Sequence, residues 1–156
     1  MRSREDVQDF IVLEARLMDE SRYEEWLSLW TDTGVYWVPC NADDIDPTRQ
    51  VSIIYDDRIR LGQRVDRLKS GSVLAHAPVP RMRRIVSNVE IAREPDGTLA
   101  VASNFMLGFA RMGTQQLWIG RTLHTLVEHG GALKIQRKKV LLIDNDQEIP
   151  LLQFLI

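Results

Sequence analysis

The stretch RMRRIVSNVEIAREPDGTLAVASNFMLGFARMGTQQLWIGRTLHTLVEHGGALKIQRKKVLLI, residues 81–143, decides how this chain folds. Apolar side chains recur at every second position: Ile85, Val89 and Ile91; Leu99, Val101, Phe105, Leu107 and Phe109; Leu117, Ile119, Leu123 and Val127; Leu133, Ile135, Leu141 and Ile143. Between them stand Asn88, Glu90, Asn104, His124, Glu128, Lys134, Gln136 and Lys138, the alternation of half-buried strands. Three glycine-bearing junctions separate the segments: Glu94-Pro95-Asp96-Gly97, Arg111-Met112-Gly113-Thr114 and His129-Gly130-Gly131. Each supplies a residue able to take the positive φ of a hairpin turn. The reading is an antiparallel meander of four strands, each roughly twice the usual five or six residues. Strands that long twist into a coiled sheet that must cover something. Gly108 and Gly120, inside strands, are expected to mark bends or bulges.

Ahead of the meander the periodicity becomes helical. Val7, Phe10, Ile11, Leu17 and Met18 place an amphipathic helix over Glu5 to Asp19. Ser21 and Glu24 form a capping-box pattern that opens a short second helix with Trp26, Leu29 and Trp30, closed by Thr31-Asp32-Thr33-Gly34. Val35 to Val38 reads as a short strand ended by Pro39, followed by an acidic loop through Pro47. A third helix is expected from Ile53 to Lys69, with Ile53, Ile54, Leu61, Val65 and Leu68 as its buried stripe and Ser70-Gly71 as its stop. Helices and a strand followed by a meander define an α+β layout, with helices on the concave face of the sheet. This order resembles the cone-like cystatin/NTF2-like fold shared by nuclear transport factor 2, ketosteroid isomerase and scytalone dehydratase. Fold alone does not choose among such functions.

The chain has 156 residues and is 44% hydrophobic, enough for a single domain, 1–156, with a core that needs no disulfide or metal. Twenty basic against 22 acidic residues leave a formal charge of −2, which argues against nucleic acid or an anionic membrane as partner. No stretch approaches a membrane-spanning length, and Met1 to Asp9 has no apolar signal region, so the expected compartment is the cytoplasm.

Metal and nucleophile chemistry find little to work with. The histidines are His76, His124 and His129; the last two are five apart, an odd separation that puts them on opposite faces of a continuous strand. A solvated or hydrogen-bonded structural role suits them better than iron ligation. One cysteine, Cys40, cannot build an iron–sulfur or structural zinc site and has no histidine near it in sequence. Asp56 and Asp57 point about 100° apart on a helix and cannot act as a dyad; they are expected to oppose Arg58, Arg60 and Arg84. Arg81, Arg83 and Arg84, like Arg137, Lys138 and Lys139, read as salt-bridging clusters, since no aromatics interleave them. Pro150-Leu151-Leu152-Gln153-Phe154-Leu155-Ile156 is too greasy for a frayed end and must pack on its own domain or on another chain.

A specific resemblance rests on ordered blocks. Leu13-Glu14-Ala15-Arg16-Leu17-Met18-Asp19-Glu20 leading into Arg22-Tyr23-Glu24-Glu25-Trp26-Leu27, then Tyr36-Trp37-Val38-Pro39, resembles the opening of the small (beta) subunit of Rieske-type aromatic-ring-hydroxylating dioxygenases. Ser52-Ile53-Ile54-Tyr55-Asp56-Asp57-Arg58, Arg83-Arg84-Ile85-Val86-Ser87-Asn88-Val89, Gly120-Arg121 and Lys134-Ile135-Gln136-Arg137-Lys138-Lys139-Val140 follow in that family's order, over nearly the whole chain. The chain departs from the pattern near Pro78 to Arg83, where Pro80 and Met82 replace hydroxyl residues common in the family. The resemblance implies a non-catalytic subunit of an α3β3 hexamer. The large alpha subunit would hold the Rieske [2Fe-2S] cluster and the mononuclear Fe(II), with electrons from NAD(P)H through a reductase and in some systems a ferredoxin. No catalytic, cofactor or metal residue is then expected here. Candidate interface residues are Tyr36 and Trp37 on an exposed strand, Asp57 and Arg58, and Phe154 and Ile156 in the terminus. Two other readings stay open: a stand-alone lyase or isomerase using Tyr36, Asp56 or His124 as acid or base in the cone, and a small-ligand or protein-binding module.

Overall fold

The computed structural model describes residues 1–74, 80–150 and 152–156, without the side chains of 71–74. His76, Pro78, Val79 and Leu151 lie outside the described residues. In chain order the elements are α1 (Arg4–Asp19), α2 (Tyr23–Ser28), β1 (Trp30–Pro39), β2 (Ser52–Asp56), α3 (Arg58–Leu74), β3 (Arg81–Arg93), β4 (Leu99–Arg111), β5 (Thr114–His129) and β6 (Ala132–Leu142). Among the described residues six strands form one open sheet in the order β2-β1-β6-β5-β4-β3. All neighbours are antiparallel except β1 and β6.

The expected meander is β3 to β6, and its turns have the anticipated chemistry. Met112 and Gly113, with φ of 51° and 76°, join Arg111 to Thr114, and Gly130 and Gly131, with φ of 59° and 77°, join His129 to Ala132. Two successive positive φ angles suit the primed turns that match strand twist.

The N-terminal half differs from expectation in three places. The capping box belongs to α1: the Ser3 hydroxyl accepts from Asp6 N, and the Asp6 carboxylate accepts from Ser3 N. Ser21 instead takes a positive φ of 56°, and α2 starts without a side-chain cap. Trp30 and Thr31-Asp32-Thr33-Gly34 belong to β1, drawn into the sheet beside β6. Ile53 and Ile54 lie in β2, where the β-branched run SIIYD pairs with β1; an apolar run that short does not distinguish strand from helix. The third helix starts only at Arg58, after Asp57 accepts from Arg60 N at 2.9 Å, and continues past Ser70, whose hydroxyl bonds back to Asp66 O at 3.0 Å.

Two irregularities decide which side chains face inward. Asn88, with φ of 54°, sits where the β3–β4 register shifts between Ser87 and Glu90. Met82 and Val86 therefore point to the core before this bulge, and Val89 and Ile91 after it, leaving Ile85 67% exposed. A second shift, between Thr125↔Arg137 and Leu126↔Ile135, turns β6 over at Gln136. Leu133 and Ile135 point inward before it, and Lys138, Val140 and Leu142 after it; Leu141 and Ile143 face out. β5 has apolar residues on both faces, and its buried set is Trp118, Thr122, His124 and Leu126, not Leu117, Ile119, Leu123 and Val127.

On the inner face Val7, Phe10, Ile11, Leu17 and Met18 of α1 meet Leu61 and Val65 of α3, the inward residues of the sheet, and Phe154, Leu155 and Ile156. Trp26, Trp30 and Tyr36 meet edge to face with centroids 5.3–5.9 Å apart, each pair contributing about 0.5–1.5 kcal/mol beyond area burial.

Neither Gly108 nor Gly120 marks a bulge, because the β4–β5 register runs through both unbroken. Gly120 is required by close approach: a Cβ there would lie 2.5 Å from Leu141 O and 2.9 Å from the Phe105 ring. Gly120→Ala is expected to force β5 and β6 apart and to destabilise by roughly 1–3 kcal/mol. Urea unfolding would measure it, and an unchanged midpoint would contradict this packing.

Candidate functional site

Three charged or titratable side chains from three elements meet inside the fold. Glu14 of α1, His124 of β5 and Lys138 of β6 each have side chains only 2% exposed. Lys138 Nζ donates to Glu14 Oε1 at 2.6 Å, Trp26 Nε1–H donates to the same oxygen at 3.2 Å, and His124 Nε2 lies 2.8 Å from Oε2. Lys138 Nζ also sits 6.0 Å from the Trp26 ring centroid and 5.8 Å from that of Tyr36. Burial pushes the Glu14 carboxyl upward, but the Lys138 ammonium and His124 outweigh it and hold the group well below the ordinary carboxylate range. Burial likewise lowers Lys138, only partly opposed by Glu14.

Beside this cluster Arg84 Nε meets Asp19 Oδ1 at 2.7 Å, and Arg84 Nη2 donates to Leu155 O at 3.0 Å. The Tyr36 hydroxyl donates to Ile156 O at 2.5 Å and accepts from Ile156 N at 3.0 Å. Burial raises the Tyr36 hydroxyl above its usual value, so it stays protonated. The C-terminal residues thus lie within the space enclosed by helices and sheet, where a cavity of about 20 Å³ remains, lined in part by Glu14, Ser103, Thr122, His124 and Ile156. That volume takes about one water molecule and no substrate.

The candidate acid–base residues are therefore held by structure. Tyr36 is bound to Ile156 and His124 to Glu14. Asp56 stands opposite Tyr36 across β1 and β2, but its carboxylate is gripped by Arg64 at 2.6 Å. Arg64 thus replaces the expected Arg58, Arg60 and Arg84, of which Arg84 pairs with Asp19. His129 is exposed at the β5–β6 hairpin, and Cys40 is half-buried just after β1. Among the described residues no three His, Cys, Asp or Glu side chains gather as a metal would require. With one cysteine in the sequence, this chain's residues do not fit a Rieske cluster.

The expected surface aromatics need correction. Tyr36 is 0% exposed and Phe154 and Ile156 are each 2% exposed, so their side chains pack within their own domain and have no surface to offer a partner. Trp37 points to the opposite, outer face of the sheet, where Tyr55, Arg137 and Lys139 cover it; Lys139 Nζ lies 4.3 Å from its ring centroid. Asp57 is exposed and Arg58 half-buried at the start of α3.

The outer face carries a feature the alternation alone does not assign. The strand register aligns Ile119, Met106 and Ile85, and Ile143 joins the row through its N–H to Ile119 O. Ile85, Met106, Leu117 and Ile143 are exposed there, flanked by Arg81, Arg83 and Arg121. Among the described residues no element packs over this row. Glu14 and Lys138 are not among the candidate site residues that the sequence alone suggests, although Glu14 falls on the helical stripe of Val7, Phe10, Ile11, Leu17 and Met18. A carboxylate on an apolar stripe needs a buried cation, and Lys138 is that cation.

A family model described as "Ring hydroxylating beta subunit" matches residues 13–147. The small subunit of 2-halobenzoate 1,2-dioxygenase from Burkholderia cepacia is 36% identical over 142 residues, which cover 88% of this chain and 86% of that one. The crystal structure of the benzoate 1,2-dioxygenase beta subunit from Burkholderia mallei superposes with a TM-score of 0.81 at 27% identity, covering 93% of each chain. A protein named for scytalone dehydratase, from Novosphingobium aromaticivorans, shares the fold with a TM-score of 0.66 at 12% identity, covering 88% of this chain and 82% of that one.

Proposed function

This chain belongs to the beta-subunit family of ring-hydroxylating dioxygenases, and on that premise we propose that it is the non-catalytic partner of an iron-bearing large subunit and meets it through the outer face of its sheet. It is a small subunit of a multicomponent aromatic-ring dioxygenase, serving aromatic compound catabolism. The large alpha subunit carries the Rieske [2Fe-2S] cluster and mononuclear Fe(II), and the two chains, each beta chain one domain, form an α3β3 hexamer in the cytoplasm. Electrons from NAD(P)H reach the large subunit through a reductase, with or without a ferredoxin. The relatives described above are named for a halobenzoate and for benzoate, which supports an aromatic carboxylate as substrate class.

One observation carries this reading: the row Ile143–Ile119–Met106–Ile85 with Leu117, an apolar band on the outer sheet surface. Contiguous exposed apolar surface of this kind marks an interaction site. Its basic flank of Arg81, Arg83, Arg137 and Lys139, beside Arg121, which pairs with Glu90 at 2.7 Å, calls for an acidic rim on the partner, a matching that guides docking and orientation. Trp37, on the same face, is only 4% exposed beneath Tyr55, Arg137 and Lys139 and holds those side chains in place at this surface; Asp57 and Arg58 lie at the start of α3 and extend the contact around the β2 edge. The stand-alone enzyme reading finds no support in the interior, where each candidate acid or base is committed to another side chain or to the C-terminus.

Coexpression with the cognate large subunit tests the proposal. The double variant Ile85→Asp, Ile119→Asp is expected to keep its melting temperature within a few degrees, because neither side chain enters the core. Hot-spot losses of roughly 2 kcal/mol per site, about 4 kcal/mol for the pair, should weaken association by a factor on the order of 1,000. A variant that assembles normally would rule out this face. A wild-type chain that never joins the large subunit, itself active alone, would overturn the subunit role.

A further inference from the structure

We propose that the interior cavity is a specific binding site for one water molecule, which completes the hydrogen bonding of His124 and joins α1 to β4 and β5 through the buried cluster. His124 Nε2 faces the Glu14 carboxylate at 2.8 Å, and a carboxylate only accepts, so the ring proton sits on Nε2. Nδ1, the other ring nitrogen, is buried without a hydrogen-bond partner from the protein. A buried polar atom left so is costly, and native structures satisfy nearly all of them.

The surroundings supply what a water requires. His124 lines the cavity of about 20 Å³ together with Ser103 and Thr122. Ser103 and Thr122 are direct cross-strand partners on β4 and β5, and Thr122 precedes His124 by one step on the same inward face. Two hydroxyl-bearing residues and the imidazole therefore line a space the size of one water molecule, and three bonds are what a buried water typically makes. The water bonds to Nδ1 and shares its remaining bonds with the hydroxyls of Ser103 and Thr122. Ile11, Ala15 and Phe105 also line it, and its volume of about 20 Å³ suits one water molecule.

The site makes the cluster continuous: Lys138 to Glu14, Glu14 to His124, His124 through the water to β4. A crystal structure of the full chain at about 1.5 Å resolution is expected to show a water peak within 3.2 Å of Nδ1, at the usual hydrogen-bond limit. A clean map without that peak would overturn the proposal. Ser103→Val provides an independent sign test, since it fills the cavity with methyl groups. Displacing a bonded water strands Nδ1 and should lower Tm by roughly 3–8 °C. Filling a dry apolar void would raise Tm instead, and that result would also overturn the site. Should the variant fail to fold, the map of the unaltered protein decides.

Discussion

Lys138→Met is expected to cost about 3–5 kcal/mol, the range found when one partner of a buried ion pair is removed. Methionine preserves the length of the side chain and its apolar contacts, so the loss is electrostatic. Glu14 would keep Trp26 and His124 as hydrogen-bond partners but lose the ammonium 2.6 Å from its Oε1. Against a total stability of roughly 5–15 kcal/mol, that is a large fraction. For a domain of this size it corresponds to a Tm lower by about 6–20 °C, readable by circular dichroism at pH 7. Glu14→Gln added to Lys138→Met should recover more than half of the loss, because the amide is neutral, its oxygen still accepts from Trp26, and its NH2 can donate to His124 Nε2 once the ring proton moves to Nδ1. Such recovery separates an unpaired charge from simple misfit. A Lys138→Met protein that melts within 2 °C of wild type would contradict the cluster as described.

The sign of the pH dependence follows from the same group. In the folded chain Glu14 is held below its ordinary value of 4.5, so the unfolded chain takes up the proton first as the solution is acidified. Glu14 therefore contributes its full stability above about pH 4.5 and loses it progressively below, down to the depressed folded value. In Lys138→Met the ammonium that lowers Glu14 is gone while burial, which raises it, remains, so the folded value is expected to move upward and the sign to reverse. Acidification from pH 7 then relieves the buried charge, and the deficit relative to wild type should shrink as pH falls. Paired urea melts at pH 7 and pH 5 would show this; an equal or growing deficit at pH 5 would argue against it.

How far the sequence reveals this architecture depends on where the physics is local. The hairpins are legible because positive φ needs glycine or a tolerant neighbour, as at Met112-Gly113 and Gly130-Gly131. The stripe of α1 is legible because Val7, Phe10, Ile11, Leu17 and Met18 repeat with the helical period. The facing of the strands is less legible. One extra residue at Asn88 and one at Gln136 reverses all positions beyond it, and neither residue announces a bulge by its type. That reversal places Lys138 inside, from a run where Lys134, Arg137 and Lys139 suggest a wholly solvated face. SIIYD becomes a strand only because β1 offers it an edge, a tertiary fact with no local signature. The terminus was greasy enough to demand a contact; whether that contact was internal depended on topology.

Removing Phe154, Leu155 and Ile156 is the change expected to have the largest effect of all. These residues are 2%, 1% and 2% exposed, and burying a large apolar side chain contributes about 1.5–3 kcal/mol, so their loss approaches roughly 5–9 kcal/mol as an upper bound. The damage also spreads to polar groups. Tyr36 loses both bonds to Ile156, Arg84 loses Leu155 O, and Phe154 no longer packs on Phe109 and Trp118 at 4.8 and 5.3 Å. Water then reaches the Glu14–Lys138 cluster and weakens the attraction that holds it. The truncated chain should lose its near-ultraviolet circular dichroism, bind a hydrophobic dye and aggregate on a sizing column, while Tyr36→Phe, which removes the hydroxyl alone, should cost only about 1–3 kcal/mol. A terminus that served only as a partner contact would behave differently. Its removal would leave the melt of the isolated chain intact and abolish assembly alone, and that pattern would show that these three residues do not complete the core.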